Sequence, residues 1–212
     1  MDSYRPPIGT LVEDLDTPCL LVDLDAFEHN MELVAETFRD TDCKMRQHAK
    51  NIKSPALAHM QIRAGGTVGG GCTAKVAEAE VMVQSGITDV LIANQVVDHD
   101  KIKRLVSLNT RGDVKVCVDN EENIRDISEI ATANNGEVGV LIEVDTSMGR
   151  AGVRTQEQGV KLARLAASLP GVNFLGVMSH QHLTEFTGHE DRILTGRKHI
   201  EMCLDVKAAI EE

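Results

Sequence analysis

The sequence has few basic residues relative to its acidic ones. It contains 22 Lys and Arg against 33 Asp and Glu, a formal net charge of −11 at pH 7. Nucleic acids and anionic membrane surfaces attract proteins through basic patches, so this balance argues against both as partners. An anionic small molecule can still bind where local Lys, Arg or backbone N–H groups outweigh the overall charge. We therefore expect a small-molecule partner.

The sequence also lacks paired cysteines, long apolar runs and a leader-like start. Its five cysteines include no Cys-x-x-Cys pair, which argues against a disulfide framework or a structural zinc site and indicates reduced thiols. No apolar run approaches the roughly 20 residues that cross a bilayer. Residues 1–7 have no apolar core of the signal-peptide kind. Together these absences predict a cytoplasmic protein.

Strand-like and helix-like segments alternate along the chain. Seven short apolar segments recur roughly every 20–30 residues, each followed by a helical pattern, which is typical of an α/β barrel or a doubly wound parallel sheet. The predicted strands span about 19–22, 43–49, 67–73, 90–93, 114–118, 139–145 and 174–180. The predicted helices span about 26–38, 55–64, 74–84, 99–107, 120–134, 156–169 and 190–212.

Chain length favours one of these architectures. A complete (β/α)₈ barrel needs eight strands and about 250 residues, whereas this chain has 212. We expect a (β/α)₈ TIM-type barrel that is truncated after about seven β/α units, with an open sheet as the alternative. Residues 1–16 would form an irregular arm and residues 17–212 an incomplete barrel domain.

Polar residues follow the predicted strands at the points where the strands end. In α/β barrels the active site is built from the loops at that end. Three of these residues are better explained as caps of the following helices, namely Asp25, Asn94 and Asp119. Capping does not explain Lys50, Arg150 or His180, which makes these three the candidates for chemistry.

One predicted strand carries a row of basic side chains. At period two, Lys44, Arg46, His48 and Lys50 fall on one side of the extended segment. A parallel sheet is covered on both faces, so such a row must line a polar interior. Lys44, Arg46 and Lys53 would crowd Lys50, and like-charge repulsion with partial burial favours its neutral, nucleophilic form.

Two interpretations of Lys50 follow from the residues alone. The functional one is an amine that forms a Schiff base with pyridoxal phosphate and later serves as a base. The structural one is a lysine paired with Glu143 or Asp145, which alternate onto one face of their own predicted strand.

Four segments resemble a known enzyme group. Arg46-x-His48-x-Lys50-x-x-Lys53-Ser54 is similar to the Arg-Pro-His-x-Lys-Thr-His-Lys segment of the D-threonine aldolase and D-serine dehydratase group, pyridoxal enzymes of the alanine racemase fold. Segments 75–80, 86–94 and 144–153 resemble further motifs of that group in the same order. The resemblance covers about residues 14–192. The sequence departs from the pattern at four positions: Gln47, Asn51, Ile52 and Ala74.

The resemblance implies a role for each candidate residue. Lys50 would hold pyridoxal 5′-phosphate covalently, and Arg150 would bond the phenolic oxygen of the cofactor. His48 would lie in the same pocket. His180 occupies the position where relatives place a His or Tyr beside the pyridine ring. The fold class implied is therefore the alanine racemase type of barrel.

The resemblance also implies a reaction. It favours a pyridoxal-phosphate lyase that cleaves β-hydroxy D-amino acids, giving glycine and an aldehyde as a D-threonine aldolase does. The alternatives are a D-serine or 3-hydroxyaspartate dehydratase, and a non-catalytic protein that binds the cofactor. Relatives hold a divalent metal (Mn, Mg or Zn) in a C-terminal β domain and bind the cofactor phosphate through a later glycine-rich loop. Both are expected after residue 212, so we expect this chain to be weak or inactive, and the full-length protein to be a homodimer.

Two features invite other interpretations. Gly69-Gly70-Gly71 could cradle a phosphate, but it lacks the Gly-Lys-Ser/Thr ending of a P-loop, so a close backbone approach within a strand is preferred. His180-x-His182, with Glu185 and His189 beyond, could bind a metal, because residues i and i+2 share a strand face. No further ligand is set by spacing, and we predict no metal site there.

Overall fold

The computed structural model describes residues 5–183 and 188–212. In these ranges it contains seven α-helices and six β-strands. The strands are β1 Met45–His48, β2 Thr67–Thr73, β3 Asp89–Ile92, β4 Asp113–Val118, β5 Val138–Val144 and β6 Val172–Ser179. The helices are α1 Leu24–Phe38, α2 Pro55–Ala64, α3 Val76–Gln84, α4 His99–Leu108, α5 Glu121–Ala133, α6 Gln156–Ser168 and α7 His189–Glu211. None of these helices combines the length and the apolar character needed to cross a bilayer.

The six strands form one parallel sheet in the order of the sequence. Within the described ranges, β1 and β6 each have a strand neighbour on one side only. Side chains from these two edge strands nevertheless line one cavity, so the sheet must curl. This is the arrangement of a partial (β/α) barrel, and it confirms the predicted fold class.

The two faces of the sheet have different compositions. Every second residue of β5, from Val138 to Val144, is buried in the main core between sheet and helices. Burying a branched side chain of this kind contributes about 1.5–3 kcal/mol. The intervening Leu141 packs on the concave side against a small cluster of Cys72, Leu91 and Cys117. The hydrophobic core therefore lies between the sheet and the helices. The polar end of the concave face remains available to bind a small molecule.

The first predicted strand, residues 19–22, is wrong. Leu20, Leu21 and Val22 are exposed by 100%, 59% and 48% and belong to no strand. A strand requires a neighbour for its backbone hydrogen bonds, and β1 pairs with β2 alone among the described strands. The described residues therefore form seven α-helices but six strands, where seven β/α units were predicted.

The preferred capping roles are also wrong. Asp23 rather than Asp25 caps α1, Asp98 rather than Asn94 caps α4, and Asn120 rather than Asp119 caps α5. Two of the residues predicted as caps form hydrogen bonds to loops instead. Asp119 Oδ2 accepts from Gly152 N at 2.9 Å, and Asn94 Nδ2 donates to Ala74 O at 3.4 Å. The cap of α2 by Ser54, followed by Pro55, is confirmed.

The glycine-rich segment lies within β2 and permits a close approach to β3. A Cβ added to Gly70 would lie 2.8 Å from the Cβ of Asp89 and would overlap the carbonyl oxygen of the same residue. Only glycine fits there without moving the neighbouring strand. The preferred interpretation of this segment, a close backbone approach in a strand, is confirmed.

Candidate active site

The exits of several strands surround one cavity of about 270 Å³. Side chains of β1, β2, β3 and β6 line it, and the turn after β1 and the loop after β5 complete its wall. The four residues predicted to bind a cofactor all line this cavity: Lys50, His48, Arg150 and His180. Cys72 and Asn94 are among the other residues of its wall. The volume is close to the lower end of the roughly 300–1,000 Å³ of small-molecule sites.

A larger cleft of about 440 Å³ lies between the starts of α5 and α6. Its cationic side chains are already paired: Lys161 with Glu121 at 2.5 Å, and Arg154 with Asp145 at 3.2 Å. The smaller cavity at the strand exits has an amine, a guanidinium and two imidazoles that are free of such pairing in the described ranges. We therefore regard the smaller cavity as the candidate active site.

Lys50 is carried by the turn that follows β1. Ala49 N donates to Cys72 O at 2.7 Å, which extends the β1–β2 ladder, and Lys53 N donates to Ala49 O at 2.8 Å, which closes the turn. Lys50 itself is exposed, and it borders the cavity. The main chain beside the amine is thus held by the sheet while the amine remains accessible to a small molecule.

The predicted crowding of Lys50 by other cations is wrong. Lys44 Nζ turns away and donates to two carbonyl oxygens at the end of α1, at 2.6 and 3.2 Å. Lys53 binds Glu78 at 2.5 Å, and Arg46 binds a carboxylate of β3 at 2.9 Å. The period-two pattern places cations on one strand face, but it does not show the carboxylates that neighbouring elements bring to neutralise them.

The structural alternative for Lys50 is also wrong. Glu143 is buried and accepts a hydrogen bond from Gln95 Nε2 at 2.6 Å, while Asp145 binds Arg154. Within residues 5–183 and 188–212, no ion pair joins Lys50 to a carboxylate. The amine therefore remains available for a ligand.

Ion pairs on the concave face tie β1, β3 and β4 together beside the cavity. Asp89 accepts from both terminal nitrogens of Arg46 at 2.9 Å and from Lys115 Nζ at 2.8 Å. Lys115 also binds Asp113 at 2.5 Å. Burial opposes ionisation of Asp89, but the hydrogen bonds from Arg46 and Lys115 outweigh it and hold the pKa of Asp89 below its ordinary value.

Substituting Asp89→Asn is expected to destabilise the fold by about 1–3 kcal/mol at pH 7, because two partly buried cations lose their anionic partner. The lowered pKa of Asp89 sets the pH dependence of this stabilisation. The ionised carboxylate stabilises the fold fully above the pKa that Asp has in the unfolded chain, and this stabilisation is lost as the pH falls through the pKa of Asp89 in the folded protein. Urea unfolding at pH 7 and pH 3 measures it, and the difference between wild type and variant should shrink at pH 3. Asp100→Asn is the matched control, since Asp100 forms an exposed pair with Lys103; equal losses in both variants would contradict the prediction.

Arg150 is placed by a tightly bonded loop. Asp145 Oδ1 accepts from Met148 N and Gly149 N, both at 3.0 Å. Gly149 and Gly152 have φ values of +62° and +106°, a backbone conformation that residues with a side chain rarely adopt. Backbone hydrogen bonds hold the two ends of this turn together. Arg150 lies within the turn and lines the cavity.

His48 is partly buried, and Nδ1 lies 3.2 Å from Cys72 O. Burial is the largest influence on its pKa, followed by the positive charge of Lys50, and together they lower the pKa below the ordinary value. The Cys72 bond and Glu78 oppose this shift, and His180 adds to it. The imidazole is therefore neutral near pH 7.

His180 follows β6 and faces the same cavity. Burial lowers its pKa, and the charges of Arg150 and Lys50 lower it further. Its Nδ1 is buried without a hydrogen-bond partner among the described residues. A neutral ring with an unsatisfied nitrogen in a cavity wall is suited to contact a polar or aromatic ligand.

Sequence reasoning missed the Gln95–Glu143 pair beside this site. Burial raises the pKa of Glu143, although the bond from Gln95 and the charge of Arg150 oppose the shift. The available signal was that Gln95 follows β3 and that Glu143 lies on the polar face of its strand. Gln95 follows β3 and Glu143 lies in β5, and these two strands are not adjacent in the sheet. No spacing in the sequence indicated that the two side chains would meet.

No metal centre is formed by the described residues. Within residues 5–183 and 188–212, no three His, Cys, Asp or Glu side chains are gathered closely enough to hold an ion. Of the residues considered for such a site, Glu185 lies outside the described ranges. His180 faces the cavity instead.

The sequence and the fold are similar to those of known proteins. The chain is 39% identical over 184 residues to 3-hydroxy-D-aspartate aldolase from Paracoccus denitrificans (strain Pd 1222), covering 84% of this chain and 46% of that protein. It is 36% identical over 185 residues to D-threonine aldolase from Arthrobacter sp., covering 87% and 48%. The crystal structure of D-threonine aldolase from Filomicrobium marinum is similar with a TM-score of 0.89 and 37% identity, covering 94% of this chain and 54% of that chain.

The chain thus spans about half the length of the curated relatives it matches. Residues 22–211 match the family described as alanine racemase, N-terminal domain, which includes all six strands and the loops that carry the candidate site. The chain therefore belongs to the alanine racemase N-terminal domain family.

Proposed function

We propose that this chain is the cofactor-binding part of a pyridoxal-phosphate lyase that cleaves β-hydroxy D-amino acids into glycine and an aldehyde. The observation that carries the proposal is that Lys50, His48, Arg150 and His180 line a single cavity at the strand exits. The names of the relatives, an aldolase of 3-hydroxy-D-aspartate and two of D-threonine, support the reaction class.

The residues present match the chemical groups of pyridoxal phosphate. Lys50 provides a primary amine for the aldehyde, and Arg150 provides a cation for the phenolic oxygen. His180 would provide a neutral ring for contact with the pyridine. When bound, the cofactor supplies an electron sink for the pair released from the broken carbon–carbon bond.

The protein groups have distinct tasks in this proposal. Lys50 would hold the cofactor covalently through its side-chain amine. Arg150 has a fixed charge and carries no proton that can transfer at neutral pH, so its task is orientation and charge stabilisation. The cavity wall formed by Leu91, Ala93 and Met178 is apolar, which limits water around the reacting carbon.

Three further features belong to the proposal. A divalent metal (Mn, Mg or Zn) would polarise the β-hydroxyl group in a longer form of the protein. The longer form would be a homodimer. The acidic balance and the five cysteines, all free in the structure, support a cytoplasmic location.

Incubating the chain with D-threonine, pyridoxal phosphate and Mn²⁺ tests the reaction. We expect glycine and acetaldehyde in equal amounts but at a low rate, because this chain spans about half the length of the relatives it matches. Amino-acid analysis and an alcohol dehydrogenase coupled assay measure the two products. L-Threonine is the control substrate and should give neither product. Ammonia with 2-oxobutanoate would instead identify a dehydratase, and cofactor binding without any product would identify a non-catalytic binding protein.

A further inference from the structure

We propose that Glu143 is a positioning residue, whose hydrogen bond with Gln95 braces the two walls of the cavity and sets the distance between them. One wall carries Lys50 and the other carries Arg150. The proposal rests on the proposed function, in which both of these side chains contact one cofactor molecule. Glu143 and Gln95 do not line the cavity themselves, so they act through the elements that carry them.

Glu143 is the one Asp, Glu, Lys or Arg residue that is buried within residues 5–183 and 188–212, with 4% of its surface exposed. Burying an ionisable group costs free energy unless a partner compensates it. Its partner is the neutral amide of Gln95, whose Nε2 donates to Oε2 at 2.6 Å. The pair therefore adds little stability, and we infer that it holds one particular arrangement of the sheet instead.

The side chain of Glu143 points to the concave side of the sheet, where the cavity lies. Ile142 and Val144 are buried in the main core between the sheet and the helices, so the alternation of a strand places Glu143 on the opposite face. Met178 is its register partner in β6 and lines the cavity. The carboxyl group therefore lies next to the cavity wall.

The bond between Gln95 and Glu143 spans a whole strand. Gln95 follows β3, Glu143 lies in β5, and β4 lies between these strands. Strands that are second neighbours in a sheet are roughly 10 Å apart, so the two long side chains must reach towards each other over β4 on the concave side. A bond of 2.6 Å at this place fixes how far the sheet curls at the strand exits.

The curl at the strand exits sets the width of the cavity. Strands β1 to β3 and the turn with Lys50 form one wall, and β6 and the loop with Arg150 form the other. Gln95 comes two residues after Ala93, which belongs to the first wall. The bond to Glu143 therefore joins the two walls.

Glu143 also lies at the base of the loop that carries Arg150. Its carbonyl oxygen accepts from Val153 N at 2.8 Å, and Asp145 N donates to Val153 O at 3.0 Å. These two bonds close the loop directly on the end of β5. Because the base of the loop is bonded to Glu143, a shift of this residue moves the loop and changes the distance from Arg150 to Lys50.

The rate at which the cofactor-free chain captures pyridoxal phosphate tests the brace. Gln95→Leu and Glu143→Leu each remove the bond and keep a side chain of similar size. We expect the maximal rate of capture, measured by borohydride trapping at successive times, to fall by about 10²-fold, the cost of a misplacement of about 1 Å. The cofactor concentration that gives half of the maximal rate should change little, because every residue that contacts the cofactor is still present.

Two further variants separate the bond from the residues that form it. Glu143→Gln keeps an oxygen that can accept from Gln95, so its capture should be about tenfold faster than that of Glu143→Leu. The double variant Gln95→Leu/Glu143→Leu should be no slower than either single variant, because all three lack the same bond. Gln84→Leu, at the exposed end of α3, is the control and should capture as the wild type does.

Hydrogen exchange measured by NMR tests the brace without the cofactor. Met148 N and Gly149 N are bonded to Asp145 in the loop that carries Arg150. In the leucine variants we expect these two amide hydrogens to exchange about two- to tenfold faster, the size of one lost hydrogen bond. If a leucine variant does not unfold cooperatively in urea, Gln95→Asn replaces it, because its amide is one methylene shorter and does not reach the carboxyl group.

The outcomes separate the brace from the proposed function. Unchanged capture or unchanged exchange in the leucine variants overturns the brace. Glu143→Gln that is as slow as Glu143→Leu also overturns it, since the charge of residue 143 would then matter and not the bond. A wild-type chain that traps no cofactor on Lys50 overturns the proposed function, and hydrogen exchange still decides whether the brace holds the Arg150 loop.

Discussion

Lys50→Ala is expected to abolish covalent capture of pyridoxal phosphate and to reduce any D-threonine cleavage by about 10³-fold or more, the scale seen when an enzyme loses its nucleophile. The reason is that the cavity offers a single lysine amine among its lining residues. Borohydride reduction followed by peptide mass mapping measures the capture. The mass increase should be found on the peptide that contains residue 50.

Two control variants make the Lys50 result specific. Lys50→Arg keeps the positive charge but removes the nucleophilic amine, so capture should be lost as completely as in Lys50→Ala. Lys53→Ala removes a nearby lysine that is paired with Glu78 and does not line the cavity, so capture should persist. A trapped cofactor on any residue other than Lys50 would contradict the assignment.

Gly152→Ala is expected to lower stability by about 2–4 kcal/mol and to weaken cofactor capture. Its φ of +106° costs a side chain roughly 1–3 kcal/mol, and overpacking adds to this. A Cβ there would lie 2.5 Å from Asp145 N and 2.9 Å from Val144 C, which are backbone atoms of the strand exit. The loop that carries Arg150 to the cavity would therefore shift. Urea unfolding measures the stability, and absorbance titration with pyridoxal phosphate measures the affinity.

Gly149 offers a matched comparison in the same loop. It also has a positive φ, +62°, but a Cβ there would meet no atom within 4 Å. Gly149→Ala should cost about 1–2 kcal/mol, from the backbone conformation alone, and should spare most of the affinity. If both alanine variants behave alike, the close contact of residue 152 with the strand exit does not decide the placement of Arg150.

Local patterns in the sequence predicted most of the elements. Apolar runs rich in valine and isoleucine locate β3, β4 and β5 within one or two residues, because their burial on both faces requires such runs. Ser54-Pro55 located the start of α2, because the cap and the first-turn proline act within one turn of helix. These are interactions between residues that are near in the chain.

Errors arose where a residue had several possible partners. Residues 19–22 have the apolar character of a strand, but no described strand pairs with them. Asp119 could have capped α5, yet the return of the chain at Gly152 provides a different donor. The first error comes from a missing strand partner in the described ranges, and the second from a partner that is distant in sequence.

The sequence by itself determined the alternation of strands and helices, the placement of polar residues at strand exits and the resemblance that selects Lys50. Only the tertiary structure decided that Lys44, Arg46 and Lys53 are turned away or paired elsewhere, that Gln95 binds Glu143, and that Cys72 O bonds Nδ1 of His48. The physical reason is that charge pairing and hydrogen bonding depend on distances across neighbouring strands and helices, whereas periodicity describes one element at a time.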